Sequence, residues 1–190
     1  LATLAEAGLE VVLGTPTAAP PRWLTARYPE VLAVDAQGRT RFAGSRRHVC
    51  LSSQKYFEAS QAIVVAMARR YGRHPAVVAW QTDNEYGCHD TLQSYSPQAL
   101  ARFREWLQRR YGSIEALNRR WGNVFWSMDC DSFEQIGLPM GLPAQANPIH
   151  ALDWRRFASD EVLRFNRMQV DVLREHAPGR PVLHNFMGFF

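Results

Sequence analysis

Asp83, Asn84 and Glu85 follow directly on an apolar run, residues 76–80, that ends in Gln81-Thr82. A carboxylate at that place has its backbone held by a buried strand while its side chain stands in the loop beyond. Such a group can give and take protons. Glycoside hydrolysis, for instance, needs a protonated carboxylic acid beside the leaving oxygen and an ionised carboxylate below the sugar ring. The acid of such a pair works when an apolar setting or a like charge favours its protonated form. Trp80 and Tyr86 stand close in sequence and are expected to exclude water. The competing reading is a solvated loop carboxylate, since Asn-Glu is a common dipeptide.

The elements that must hold this triplet can be read from apolar spacing. Residues 1–7 read as the end of a helix, with Gly8 as its cap. Residues 10–14 read as a short buried strand stopped by Thr15-Pro16 and Pro20-Pro21. A long excursion follows, with a small hairpin around residues 35–38. Ser52 or Ser53 then caps a helix whose inner face is Phe57, Ile63, Val64, Met67 and Tyr71, and which Gly72 and His74-Pro75 end. The strand at residues 76–82 is apolar on both faces. Ser96-Pro97 opens a second helix, with Leu100, Phe103, Leu107 and Tyr111 as its buried stripe. Residues 114–150, rich in Gly, Pro and Trp, read as an irregular insertion. A helix over about residues 153–177 turns Phe157, Val162, Phe165, Met168 and Val172 inward, and residues 182–186 form a last strand.

Helix and strand alternate three times, which implies an α/β fold of parallel strands joined by crossovers. A doubly wound sheet and a (β/α)8 TIM barrel both satisfy that order. No G-x-G-x-x-G or G-x-x-x-x-G-K follows a strand, so nucleotide-binding folds lose support. Long loops at the C-terminal ends of the strands favour the barrel, whose active sites are built there. Three strands cannot close one. The chain of 190 residues has room for one domain. It opens within a helix and stops on apolar residues just past a strand, so it reads as an internal piece of a larger (β/α)8 catalytic domain.

Net charge is +4, with 21 Arg against the single Lys55. The arginine pairs, such as Arg46-Arg47, Arg109-Arg110 and Arg155-Arg156, alternate with acidic residues. That pattern suits solvated helix surface rather than a nucleic-acid face. No apolar run is long enough for a membrane helix. Cys50, Cys88 and Cys130 are an odd set without C-x-x-C pairing, which argues against a disulfide framework and fits a reducing compartment.

Residues 79–87, Ala-Trp-Gln-Thr-Asp-Asn-Glu-Tyr-Gly, resemble the acid/base motif of glycoside hydrolase family 42, the bacterial β-galactosidases. Residues 14–24, 44–48, 121–127 and 184–188 resemble further segments of that family, in the same order. The resemblance implies a retaining β-galactosidase that releases terminal β-D-galactosyl residues by double displacement, with no cofactor. This chain would supply about the third to fifth barrel strands. Glu85 would be the acid/base at the end of the fourth. Asn84 would hold the sugar 2-hydroxyl and orient the nucleophile, and Arg46, from the loop after the third strand, would contact the galactose. The other reading of Arg46 is a surface salt bridge. Trp126 resembles a tryptophan at the active-site rim, contributed across a subunit boundary; its other reading is a core aromatic beneath the insertion. Asn185 ends another strand, where polar side chains face the mouth. A β-galactoside substrate, a homotrimeric parent enzyme and the bacterial cytoplasm are implied, with neither nucleic acid nor membrane as partner.

Two features depart from the family pattern. Members with a structural zinc use four cysteines, one before the helix, where Cys50 stands, and a cluster soon after the acid/base. Residues 91–97 hold no cysteine, and Cys88 with His89 is too sparse for a tetrahedral thiolate site, so no metal is expected. The nucleophilic glutamate belongs on a seventh strand, and no glutamate besides Glu85 follows a buried strand here. Two other functions stay open. One is an α-L-arabinopyranosidase, since that sugar is galactose without its hydroxymethyl group. The other is a non-catalytic sugar-binding barrel that keeps Asn84 and Arg46.

Overall fold

Val77, Ala79 and Trp80 are buried because their strand, β2 (Val77–Gln81), lies between two others and under two helices. The computed structural model describes residues 1–187. Its sheet has the order β1-β2-β3, with β1 at Val11–Gly14 and β3 at Val182–Leu183, all parallel. The chain is therefore α/β with a parallel sheet. The last strand is shorter than the expected 182–186: past Leu183 the chain leaves the ladder, though Glu85 N still donates to Asn185 O at 3.3 Å. Gly188, in the last family-like segment, lies outside the described residues.

The helices are α1 (Ala2–Glu6), α2 (Arg22–Arg27), α3 (Gln54–Tyr71), α4 (Pro97–Tyr111), α5 (Ile114–Trp121) and α6 (Pro148–His176). Ser53 caps α3 by accepting from Tyr56 N, and Ser96 caps α4 by accepting from Ala99 N. Cys50 Sγ lies 3.2 Å from that same Ser96 hydroxyl.

Three expectations need correction. Of the expected inner face of α3, Val64 is buried and Phe57, Met67 and Tyr71 pack against the cores, but Ile63 is exposed; the buried row is Tyr56, Ser60, Val64 and Ala68, every fourth residue. The row ends on small residues, Ala68 and then Gly72, where the end of α6 comes close. A Cβ on Gly72 would stand 2.4 Å from His176 O and 2.5 Å from Ala68 O.

The second correction concerns residues 114–150, which are not irregular throughout. Ser113 caps α5, whose Leu117 and Trp121 enter a core shared with Phe103, Leu107, Trp154 and Phe157. The third is that α6 starts at Pro148 on an Asn147 cap, and buries Glu161 where Val162 was expected. Glu161 can be buried because Arg102 on α4 meets both its oxygens at 2.7 Å and Arg164 adds two more contacts, at 3.1 and 3.3 Å. Asp153, also on α6 and fully buried, accepts from Tyr111 at 2.5 Å and from Trp121 Nε1 at 3.0 Å. These carboxylates tie α4 and α5 to α6. Among the described residues no helix is long and apolar enough to cross a membrane.

Candidate active site

Both long loops at the C-terminal edge of the sheet, residues 15–53 after β1 and residues 82–96 after β2, emerge on the side where Glu85 stands. The turn that presents Glu85 is strained. Asp83 has φ +50° and Glu85 φ +42°, left-handed values that cost a non-glycine residue about 1–2 kcal/mol each. Gly87, at φ +84°, completes the reversal without that cost.

The strain is held by a dense set of contacts to Asp83. Its amide donates to Thr15 Oγ1 at 2.7 Å, and its Oδ2 accepts from the Thr17 hydroxyl at 2.5 Å. Its Oδ1 accepts from Asn84 N at 2.6 Å and meets Arg47 Nη2 at 2.5 Å, a charge contact rather than an aligned hydrogen bond. Asp83 and Arg47 are both buried. Gln169, fully buried on α6, accepts from Thr15 at 2.6 Å and donates to the Tyr86 hydroxyl at 3.0 Å. Tyr86 stacks on His184 at 4.6 Å, and the Arg47 guanidinium lies 4.9 Å from the Tyr86 ring centre. Burial, reinforced by the charge of Asp83, holds the Tyr86 phenol well above its ordinary range, so it stays neutral.

Within this frame Arg46 Nη2 stands 2.8 Å from Glu85 Oε2, both half-buried. Asn185 Nδ2 donates to Asn84 Oδ1 at 2.8 Å, while Gln81 Nε2 donates to Asn185 Oδ1 at 2.9 Å and to Asp83 O at 3.1 Å. These bonds fix the Asn84 amide with its oxygen used. Among the described residues its nitrogen has no acceptor. His184 Nδ1–H donates to Thr82 O at 2.7 Å, and its Nε2 is buried and without a partner among the described residues.

Four of the five candidates therefore meet: Glu85, Asn84, Arg46 and Asn185. Trp126 does not join them. It is 74% exposed in the 3-10 turn Phe125–Ser127, beside a cleft lined by Trp121, Phe125 and Met128, so its core reading falls. Trp80 does not face the site either; it is buried between α3 and α6. Asp83 stood in the triplet without a role of its own, and Arg47, Thr15, Thr17, Gln169 and His184 were not foreseen. Gln169 did carry a signal, a polar residue four positions beyond Phe165 on the inner face of α6.

The family profile described as β-galactosidase, glycoside hydrolase 42, matches residues 1–190, and the Asn84-Glu85 turn falls within it. The chain belongs to glycoside hydrolase family 42. It is 58% identical over all its 190 residues to a β-galactosidase of Thermus thermophilus, of which it covers 30%. With the β-galactosidase Bga of Halorubrum lacusprofundi the identity is 44% over 187 residues and 27% of that protein. Among crystal structures, the β-galactosidase from the psychrophilic Marinomonas ef1 superposes with a TM-score of 0.97 at 57% identity, over 98% of this chain and 28% of that one. The chain thus spans under a third of the length of these relatives.

Proposed function

We propose that this chain is the part of a retaining β-galactosidase that carries the acid/base, Glu85, and that it forms the third to fifth strands of a (β/α)8 barrel. Parallel strands paired in chain order, with polar loops at their C-terminal ends, support the barrel reading. The observation that carries the function is the joint presentation of Glu85, Arg46 and Asn84 at the end of the central strand.

In double displacement the two carboxylates stand about 5–5.5 Å apart. Glu85 gives its proton to the glycosidic oxygen as a nucleophile from elsewhere in the whole protein attacks the anomeric carbon. Arg46 at 2.8 Å suits the carboxylate that remains. That carboxylate then takes a proton from the water that releases galactose. The free amide nitrogen of Asn84 donates to the sugar 2-hydroxyl, and Asn185 keeps that amide in register.

The three free thiols fit a reducing compartment, and the bacterial cytoplasm is the setting proposed. The exposed trio Val124, Phe125 and Trp126 supports an oligomer in which that patch is covered.

The test is Glu85→Ala in the full-length enzyme. Lactose turnover should fall by about 10²-fold or more, and added azide should restore turnover with β-galactosyl azide as product. Near-wild-type hydrolysis of lactose would overturn the assignment.

A further inference from the structure

We propose that Asp83, acting with Arg47, is the positioning residue for the acid/base; this rests on the reading of Glu85 given above. Arg46 and Arg47 are consecutive, and they pair with Glu85 and Asp83, two residues apart on the facing turn. The buried pair anchors both partners of the half-exposed one. Arg47, at φ +64°, turns the chain so that neighbouring guanidinium groups reach carboxylates on opposite sides of Asn84.

Every polar atom of Asp83 is engaged: amide, carbonyl and both carboxylate oxygens. None is left for a substrate. A carboxylate consumed in this way, buried beside two left-handed residues, holds a backbone shape that the chain would otherwise leave. What it holds is the direction of Glu85. A displacement of about an ångström at a reacting group can cost 10²-fold in rate.

The experiment compares two substrates in the full-length enzyme. Lactose needs its departing oxygen protonated, whereas dinitrophenyl β-galactoside, with a good leaving group, does not. Asp83→Asn keeps the shape of the side chain and removes its charge. It should cut kcat for lactose by about 10²-fold and leave the first step on the dinitrophenyl substrate within a few-fold of wild type. Thr17→Val removes one donor to Asp83 at lower risk to folding, and should produce the same skew at about tenfold.

A purely structural role would lower both substrates together, so equal losses, or none, in folded Asp83→Asn and Thr17→Val would overturn the proposal. Glu85→Ala runs alongside. If it shows no skew toward lactose, the acid/base reading itself fails. If it shows the skew and the Asp83 and Thr17 variants do not, only the positioning proposal fails.

Discussion

Arg46 and Glu85, from loops after neighbouring strands, meet at 2.8 Å, and neither is buried enough to need the other for folding. Pairs of this exposure contribute little to stability. On the function proposed above, their value lies in where they hold the acid/base and the galactose contact.

Arg46→Ala in the full-length enzyme should therefore leave thermal unfolding nearly unchanged and lower kcat/KM by about 10–10²-fold, the worth of hydrogen bonds from a charged donor. Arg46→Lys should not restore it, since a point charge cannot reproduce the planar fork. Steady-state kinetics on nitrophenyl β-galactoside reads both. Unchanged kinetics would return Arg46 to the surface salt bridge.

Glu161 predicts an acid limb of stability. Burial pushes its carboxyl up, but the hydrogen bonds and charges of Arg102 and Arg164 outweigh this and hold it below the ordinary range. A depressed folded value means that its stabilisation is present above the unfolded value of about 4.3. It is lost as pH falls through the folded one. Melting temperatures from pH 7 to 3 should show this loss, and Glu161→Gln should flatten it while costing roughly 2 kcal/mol at neutral pH. An unchanged acid limb in the variant would contradict the assignment.

Gly72 is needed for space. Gly72→Ala should cost about 1–3 kcal/mol through overpacking, because the methyl would meet backbone oxygens of both α3 and the end of α6. Gly137→Ala, with nothing within 4 Å of its added carbon, is the control and should melt with the wild type.

The thiol of Cys50 is taken up by Ser96, and among the described residues no three His, Cys, Asp or Glu side chains gather as a metal site. Metal analysis of the purified protein should find far less than one zinc per chain. Stoichiometric zinc that survives dialysis and disappears in Cys50→Ser would show a site formed with residues outside this chain.

What the sequence revealed, and what it hid, follows from where each signal lives. Glu85, Asn84 and Arg46 belong to local motifs and were legible as such. Asp83 and Arg47 lie in those same motifs, but they and Gln169 act by meeting across elements, and no spacing along one segment records that meeting. Apolar periodicity misled twice for the same reason. It chose bulky Ile63 over Ser60 and Ala68, although a close helix contact selects small residues. It chose Val162 over Glu161, although a doubly paired carboxylate can be buried. The helix at Ile114–Trp121 carried readable caps in Ser113 and Gly122, which its tryptophan- and glycine-rich surroundings masked.

Because each strand pairs with the one before it in the chain, the site can be assembled during synthesis. Arg46 and Arg47 have already been made when Asp83 and Glu85 emerge, so the strained turn finds its anchors waiting. Asn185, which sets the Asn84 amide, arrives later; at about 5–20 residues per second the delay after Glu85 is roughly 5–20 s. Over most of that interval only the partners on the β1 side, Thr15, Thr17, Arg46 and Arg47, are available to the turn, because Gln169 and Asn185 come later in the chain. The order of translation thus separates two tasks, fixing the carboxylate first and tuning its neighbouring amide second.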